Sequence, residues 1–309
     1  MCIRDRDIVD SILPGIDTSE NKLFSADVYD IIADGNEVSF VVGGSWTDIM
    51  LFKSSDNGDT WNKTVIFDHP VDGFVADMPC GSDIDGDCVV DTVQSTDGAV
   101  KLIVDAQGTA HVAYGIMRVL DADPTDGSTS FFPGTNGLMY WNENMSAPAE
   151  ITGALDINGN GVLDAAGVAS SYGASLSSFP SFALDPSNGD IYLSYSAHVE
   201  TLSFFDSGSG MTDSINYRHV YVMKSSDGGS NWSNPVDVTP DDIFAECVFA
   251  DMGDELVNDS IRMVYQRDFL PGHAVGGNAD HSPSGGDMVY LTIPKALNIG
   301  IEELSLIHI

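Results

Sequence analysis

The chain of 309 residues carries 12 Lys and Arg against 47 Asp and Glu, which gives a formal net charge of −35 at pH 7. Nucleic-acid-binding proteins present a basic patch, so this composition excludes nucleic acid as a partner and disfavours other polyanions. No apolar run reaches the length of a membrane-spanning helix, and the acidic surface suits solubility in a saline medium and the capture of divalent cations.

The two ends of the chain differ in character from the rest. Residues 1–6 and 304–309 resemble translated read-through of a sequencing adapter, which is common at the edges of metagenomic sequence fragments. We therefore exclude both segments from the fold, as one would a tag. The chain is accordingly expected to be part of a longer protein.

The first predicted strands lie within residues 28–67, where β-branched and aromatic residues alternate with polar ones. Their bounds are 28–33, 37–42, 48–53 and 63–67. The third strand leads into Ser54-x-Asp56-x-Gly58-x-x-Trp61. In this spacing the Asp carboxylate can accept hydrogen bonds from N–H groups of its own turn, Gly supplies a positive φ, and the indole folds back over the hairpin.

The same motif returns later in the chain, after another alternating strand. Its residues are Ser225, Asp227, Gly229 and Trp232. Alignment on the two motifs divides the chain into four units, and helical periodicity is nearly absent throughout. The strands of the later units are predicted at 100–105, 110–119, 137–141 and 149–152, then at 179–184, 191–196, 218–224 and 235–238, and finally at 244–250, 261–266 and 287–293.

The two motifs resemble the Asp box of sialidase-type (BNR repeat) β-propellers. The resemblance implies an all-β fold, a β-propeller of four-stranded blades spanning residues 7–293. Four units fit either a closed four-bladed ring or part of a six-bladed ring, and we favour the second. The last unit lacks a fourth strand, which residues 7–16 or a segment outside the chain would supply. Residues 294–303 resemble the linker before the C-terminal sorting domain of type IX-secreted Bacteroidetes proteins, which implies an extracellular product.

Connection lengths separate the two faces of such a propeller. The turns from first to second strand and from third to fourth strand are mostly tight. The connections on the other face are long, and they comprise 68–99, 120–136, 153–178, 198–217 and 268–286. Long ordered loops in a compact domain are usually functional, so we assign the working surface to this side, called here the long-loop face.

Two of the long connections have the oxygen spacing of Ca²⁺-binding loops. The predicted ligands are Asp83, Asp85, Asp87 and Asp91 in one loop and Asp156, Asn158, Asn160 and Asp164 in the other. Neither loop has a Glu at its twelfth position, so both resemble the short Asp/Asn loops of dockerin-like or thrombospondin-like repeats. The alternative is an Asx-rich turn that binds no metal.

Three cysteines remain once the excluded N-terminal segment is set aside. Cys80 and Cys88 bracket a short acidic loop, and they either form a disulfide, which fits an oxidising compartment, or remain free thiols. Cys247 lies in an apolar strand and is expected to be a small core residue.

The sialidase resemblance implies an arginine triad for the substrate carboxylate, a Tyr nucleophile assisted by a Glu, and an Asp acid/base. Arginine suits the first role because its planar fork binds a carboxylate through two hydrogen bonds. Arg118 and Arg267 end second strands and Arg218 begins a third strand, so all three are predicted on the long-loop face. The Phe/Tyr-Arg-Ile-Pro motif of the family is absent from this chain, and no Tyr-Glu pair stands out.

Paired aromatic residues, Phe131 with Phe132 and Phe204 with Phe205, occupy two of the long connections. Such pairs either stack on sugar rings or fill a partner's pocket, or they anchor the loops to the blades. Two functions from different classes follow. The favoured one is a secreted or cell-surface monomer, stabilised by Ca²⁺, that binds a glycan or an extracellular protein through the long-loop face. The alternative is an exo-sialidase-like glycoside hydrolase that uses the three arginines.

Overall fold

The computed structural model describes residues 16, 28–71, 80–165, 172–276 and 279–297. Within these residues the regular elements are β-strands and short 3₁₀ turns, and no helix there could cross a membrane. The predicted adapter-derived ends lie outside the described residues, as does most of the predicted linker. The candidate closing segment 7–16 is described only at Ile16.

The strands pair into four antiparallel sheets that follow one another along the chain. The first sheet contains β1 (Tyr29–Asp34), β2 (Glu37–Val42), β3 (Ile49–Ser54) and β4 (Asn62–Phe67). The second contains β5 (Val93–Val104), β6 (Ala110–Leu120), β7 (Ser130–Phe132), β8 (Leu138–Asn142) and β9 (Ala149–Thr152). The third contains β10 (Ser177–Leu184), β11 (Ile191–Phe204), β12 (Ile215–Ser225) and β13 (Val236–Asp237). The fourth contains β14 (Glu246–Met252), β15 (Ser260–Asp268) and β16 (Gly286–Pro294).

The first strand of each sheet lies at the centre of the molecule. In every sheet that strand forms one edge, and the later strands follow it outward in chain order, apart from β7, which pairs only with β6. The edge strands β1, β5, β10 and β14 contact one another from sheet to sheet. This arrangement is a β-propeller with four blades, and it confirms the all-β propeller predicted from the sequence.

The hydrophobic core lies between neighbouring blades, because each sheet buries one face against the next. Between blades 1 and 2 the buried side chains include Val41, Leu51, Leu102 and Val112. Between blades 2 and 3 they include Ile103, Tyr140, Leu193 and Tyr221. Between blades 3 and 4 they include Tyr192, Val222, Cys247 and Tyr265. Cys247 is therefore a core residue, as predicted.

The Ser-x-Asp-x-Gly-x-x-Trp turn of blade 1 is held by its own side chains. Ser54 Oγ donates to Asp56 Oδ1 at 2.8 Å and accepts the N–H of Gly58 at 2.8 Å. Asp56 also accepts the backbone N–H and the hydroxyl of Thr60, and Trp61 Nε1 donates to the carbonyl of Gly58. Both turns close hairpins on the face opposite the long loops, so the motif belongs to the scaffold.

Two predicted loops are partly strand. The connection predicted at 68–99 ends earlier, because β5 begins at Val93 and contains a bulge. The connection predicted at 198–217 is shorter, because β11 and β12 continue their pairing to Phe204 with Ile215. Alternation of apolar and polar residues predicts only regular strands. The parts of β5 and β11 that lie beyond a bulge were therefore predicted as loops.

One polar residue from each first strand meets at the propeller axis. Lys101 Nζ lies 3.1 Å from Asp251 Oδ1 and 3.8 Å from Asp30 Oδ2. Ser181 Oγ donates to the same Asp251 oxygen at 3.0 Å. Burial lowers the pKa of Lys101, but the two carboxylates outweigh it and the pKa is raised overall. Ion pairs and a hydrogen bond therefore join all four blades at the axis.

Candidate functional site at the propeller axis

A cavity of about 540 Å³ opens where the four innermost segments converge. Every blade contributes to its wall, and the lining side chains are mainly aromatic or aliphatic. The members used below are Asp97, Tyr172, Phe179 and Phe249. Asp97 and Phe249 lie at the bulges of β5 and β14, on the inner edges of blades 2 and 4.

Bulges in three of the inner strands shape this cavity. The register shifts between Thr96 and Val100, between Ser178 and Ser181, and between Val248 and Asp251. A bulge leaves a residue unpaired and re-aims its side chain. Phe179 and Phe249 occupy bulges with φ of 55° and 54°, a conformation that is costly for a bulky residue and that clusters at functional sites.

The two bulged phenylalanines form an aromatic group with Tyr172. The rings of Phe179 and Phe249 lie 4.7 Å apart, and Tyr172 packs edge-on against them at 6.1 and 5.8 Å. Phe249 stays 46% exposed although it lies on an inner strand. Rings held in this way offer flat apolar faces to a ligand in the cavity.

Asp97 supplies a carboxyl group to the cavity wall. Its Oδ1 accepts the N–H of Ala99 at 3.1 Å, and its Oδ2 accepts the N–H and the hydroxyl of Ser175 at 3.2 and 3.3 Å. The carboxyl group packs against Gly115, where a Cβ would lie 2.2 Å from Oδ2. Burial raises the pKa of Asp97 in spite of these hydrogen bonds.

Arg218 and Glu246 form a fully buried ion pair behind this wall. Arg218 Nε lies 3.9 Å from Glu246 Oε1, and the backbone N–H of Arg218 donates to Oε2 at 2.8 Å. The guanidinium also donates to the carbonyls of Ser175 and Leu176 at 2.7 and 3.5 Å. Burial raises the pKa of Glu246 to about 7, and burial lowers the pKa of Arg218.

Tyr172 connects the buried pair to the cavity. Its hydroxyl donates to the carbonyl of Gly272 at 2.7 Å, and its ring lies 5.7 Å from the guanidinium carbon of Arg218. Burial and the neighbouring charge of Glu246 raise the pKa of Tyr172 far above its ordinary value. A continuous polar network therefore runs from Asp97 through Ser175 to Arg218 and Glu246, and it joins blades 2, 3 and 4.

The three predicted arginines do not meet at one site. Arg218 is enclosed as described, and Arg267 is paired with Asp242 at 2.9 Å and Asp287 at 2.7 Å. Arg118 is exposed and lines a different cavity, on blade 2. The shared carboxylate clamp stays a prediction, which these separate surroundings of the three guanidinium groups do not support.

The first acidic loop brings most of its predicted ligands together. Carboxylate oxygens of Asp83, Asp85 and Asp91 lie within 4.8 Å of one another, as three ligands of one cation would. Asp87 instead accepts the N–H of Val89 at 2.7 Å. The neighbouring Cys80 and Cys88 form a disulfide, which resolves the alternative left open by the sequence.

The second acidic loop is held by a residue that its own sequence does not contain. Glu200, on β11, accepts the N–H groups of Ile157 and Asn158 with one oxygen and that of Asp164 with the other. Asp156 accepts the N–H groups of Gly159, Asn160 and Gly161. The side-chain amides of Asn158 and Asn160 donate to Asp164 at 3.3 and 3.2 Å. Calcium stays a prediction for both loops.

The two aromatic pairs differ in their surroundings. Phe131 and Phe132 lie on β7 and are 46% and 40% exposed at the blade 2 cavity. Phe204 packs against Tyr217 with ring centroids 6.2 Å apart, whereas Phe205 is exposed. The first pair therefore faces a cavity, and half of the second anchors its loop.

Sequence reasoning missed Asp97, Tyr172 and Glu246. Asp97-Gly98 looks like an ordinary turn within a long loop, and only the bulge in β5 brings the carboxyl group to the axis. Glu246 did leave a signal, because it is a lone acid in the apolar run 243–250. A buried carboxylate needs a partner, so such a residue is a reasonable candidate for a polar network.

No protein-family model matches the chain, and no curated protein matches it. Among solved structures, a polysaccharide lyase of family PL25, an ulvan lyase, is 14% identical with a TM-score of 0.45 over 86% of this chain and 51% of that chain. A thermostable family-43 glycoside hydrolase is 12% identical with a TM-score of 0.42 over 85% of this chain and 70% of the hydrolase. A Hadza microbial sialidase is 13% identical with a TM-score of 0.40 over 90% of this chain and 46% of the sialidase. The chain thus spans about half the length of the ulvan lyase.

Proposed function

We propose that the chain is a secreted or cell-surface glycan-active propeller that binds a sugar in the axial cavity and cleaves its glycosidic bond. One observation carries the proposal. The carboxyl group of Asp97 and the hydroxyl-bearing ring of Tyr172 line the same cavity, and a buried Arg218–Glu246 pair lies directly behind Tyr172. Perturbed acids at a cavity with apolar walls are the physical marker of an active site.

Asp97 is suited to the role of proton donor. Its pKa is raised by burial, so it retains a proton at a higher pH than a solvated Asp does. In the proposed reaction it protonates the leaving oxygen as the glycosidic bond breaks. Glycoside cleavage usually relies on two acidic residues, one of which stays protonated until it donates its proton to the leaving oxygen.

Tyr172 and Glu246 are the candidates for the opposite role. The sialidase resemblance implies a Tyr nucleophile assisted by a Glu, and among the described residues at the axis this pair matches it. In this step the phenol oxygen of Tyr172 gives its proton to Glu246 and bonds to the anomeric carbon, as the bond from that carbon to the leaving oxygen breaks. Water then hydrolyses the bond between the sugar and Tyr172: Asp97 takes the proton of the water, and Glu246 returns its proton to the phenol oxygen. The raised pKa of Tyr172 means that the free phenol stays protonated, so proton transfer accompanies the attack.

The second candidate function is non-catalytic binding of a glycan or an extracellular protein. The burial of Arg218 and the two-sided pairing of Arg267 favour it, because neither guanidinium is free to hold a substrate carboxylate as a sialidase does. The aromatic group at the axis would then serve recognition alone.

Secretion and calcium belong to the same proposal. The Cys80–Cys88 disulfide fits an oxidising compartment. The cluster of Asp83, Asp85 and Asp91 fits an oxygen-liganded cation such as Ca²⁺. Both features support an extracellular protein that is stabilised by a cation.

A panel of polysaccharides and aryl glycosides separates the two candidates. Binding is followed by affinity electrophoresis, and cleavage by the release of new reducing ends. We expect at least one substrate to be both bound and cleaved. Binding without cleavage would contradict the catalytic proposal and support a non-catalytic binding module. The absence of both binding and cleavage would contradict any function on glycans.

A further inference from the structure

A second cavity, of about 790 Å³, lies on blade 2 and shares no lining residue with the axial cavity. Its wall combines an arginine with two aromatic rings, amide groups and one acid. The members used here are Gln94, Arg118, Phe131, Phe132, Asn136 and Glu150. The proposed reaction at the axis uses none of these residues.

An added strand builds this cavity. β7 pairs with β6 outside the ordinary blade order, and among the described residues blade 2 alone has such a fifth strand. Arg118 lies opposite Gln94 on β5 and opposite Phe132 on β7. Directly opposite residues of antiparallel strands project to the same face, so these three side chains form one row across the sheet.

The guanidinium of Arg118 is available to a ligand. Among the described residues, no carboxylate lies within ion-pair distance of it, whereas Arg218 and Arg267 each have acidic partners. The backbone N–H of Arg118 donates to Thr135 Oγ1, whose hydroxyl in turn donates to the carbonyl of Phe132. The hydrogen bonds of Thr135 thus hold β7 against β6, while the charged end of Arg118 remains exposed.

Glu150 lies elsewhere on the same cavity wall, on β9. Because it forms no ion pair with Arg118 in the described structure, the cavity presents a positive and a negative group that are kept apart. A ligand with an anionic group therefore has a preferred orientation: the anion against Arg118, and hydroxyl groups towards Glu150.

We propose that the blade 2 cavity is a binding site for an acidic sugar residue, one that carries a carboxylate or a sulfate. The guanidinium fork of Arg118 would hold the oxyanion through two hydrogen bonds. The exposed ring of Phe132, beside it in the row, would pack against the C–H face of the pyranose. The formal charge of −35 repels anions in general, so a local unpaired arginine is needed for such a preference.

The biological role of this site rests on the proposed function. The site adds that the glycan is one with acidic residues. Gln94 and Asp97 are three positions apart on β5, which corresponds to about 10 Å along a strand. In this proposal one glycan chain spans both cavities, with its acidic residue at Arg118 and a linkage near Asp97, which the bulge after Thr96 turns towards the axis.

The test uses three matched probes: methyl β-D-glucuronoside, methyl β-D-glucoside and its 6-sulfate. Titrations followed by ligand-observed NMR give a dissociation constant for each. The wild-type protein is expected to bind one or both charged probes about tenfold more tightly than the neutral one, as a charge-assisted bidentate contact allows. If the glucuronoside binds more tightly, the site recognises a carboxylate; if the 6-sulfate binds more tightly, the site recognises a sulfate.

Four variants locate the effect. Arg118→Gln should abolish the preference for charged probes and leave the neutral probe unchanged. Glu150→Gln should strengthen binding of the charged probes, since it removes a like charge. Phe132→Ala should weaken all three equally. Arg262→Gln is the matched control, because it removes an exposed arginine that lines neither cavity, and it should change nothing.

Several results would overturn the site. They are equal binding of all probes, no binding of any probe, an equal loss in Arg262→Gln, or the reverse pattern in which Glu150→Gln weakens binding and Arg118→Gln strengthens it. Repeating the titrations in Asp97→Asn separates this proposal from the proposed function. The preference for charged probes should persist there, even if cleavage at the axis is absent.

Discussion

Gly115 shows how closely one residue can constrain the candidate site. A Cβ at this position would lie 2.2 Å from Asp97 Oδ2 and 2.7 Å from Cγ, and Asp97 cannot turn away without losing its hydrogen bonds to Ser175 and Ala99. We expect Gly115→Ala to lower the free energy of unfolding by about 1–3 kcal/mol through overpacking. Gly134→Ala is the control, because a Cβ there meets nothing within 4 Å. Equal stability of the two variants in urea titrations would contradict the packing described for Asp97.

Glu246 predicts a pH dependence of stability. Its pKa is raised by burial from 4.5 to about 7 in the folded protein, so between these values the folded state binds more protons than the unfolded state. Stability contributed by this group is therefore fully present below pH 4.5 and falls as the pH rises to about 7. The Glu246→Gln variant lacks the transition.

The measurement is the free energy of unfolding of both proteins at several pH values. The wild-type value minus that of Glu246→Gln should decrease from pH 4.5 to pH 7 and be flat above it. The other titrating groups are common to both proteins and cancel to a first approximation. A difference that increases with pH would mean that Glu246 is ionised throughout, as a simple salt bridge.

Residues of the site were harder to predict than their surroundings. Arg218 was predicted to begin a strand on the long-loop face, but β12 begins at Ile215, and the burial of Arg218 against Glu246 depends on a contact between blades 3 and 4. Tyr172 had no signal, because its role comes from a loop that packs over this pair. Alternation within one strand carries no information about which side chains of different blades meet.

At the scale of single elements, the two acidic loops give the clearest prediction. If the cluster of Asp83, Asp85 and Asp91 binds Ca²⁺, then millimolar CaCl₂ should raise the melting temperature over that in EDTA, because only the folded state offers the site. MgCl₂ at equal ionic strength should have a smaller effect. Asp85→Asn should reduce the shift, whereas Asp59→Asn, on an exposed turn of the opposite face, should retain it.

Two results of this melting experiment would contradict a cation at the first loop. Identical melting in CaCl₂ and in EDTA would show that both loops are Asx-rich turns held by hydrogen bonds, with Glu200 as an acceptor in the second loop. A shift that Asp85→Asn leaves intact but Asp164→Asn removes would assign the cation to the second loop instead.

Strands were largely predictable because their signal is local. β2 was predicted at its observed bounds of Glu37–Val42, and the other strands of blade 1 were within one residue. The error was larger where a bulge interrupts the alternation, as at Thr96–Val100 in β5. A bulge adds residues to one strand only, so its position is decided by the neighbouring strand rather than by the sequence around it.

At the scale of the whole molecule, the axis depends on Lys101. It bridges carboxylates from blades 1 and 4, and burial raises the pKa of Asp30, so removal of the cation would leave a poorly solvated acid. We expect Lys101→Met to lower the free energy of unfolding by about 1–2 kcal/mol. Adding Asp30→Asn should restore part of the loss. Simple additivity of the two variants in a double-mutant cycle would contradict a shared role at the axis.

The propeller architecture was predicted from two turn motifs and from the regular spacing of short strands, because a propeller repeats one local unit. The cavity at its axis did not, because it is formed by single residues from several blades. Asp97, Ser175, Arg218 and Glu246 are widely separated in sequence and meet only in the folded ring. The fold was therefore predictable and the location of the candidate site was not.

The most direct test of the axial site is Asp97→Asn, assayed on whichever glycan the wild-type protein cleaves. The exchange keeps the size of the side chain and removes the acid, so binding should persist while the cleavage rate falls by about 100-fold or more, the usual contribution of general acid catalysis. Arg262→Gln, at a residue that does not line the cavity, should keep the wild-type rate. Cleavage by Asp97→Asn at the wild-type rate would contradict the account and place the chemistry elsewhere.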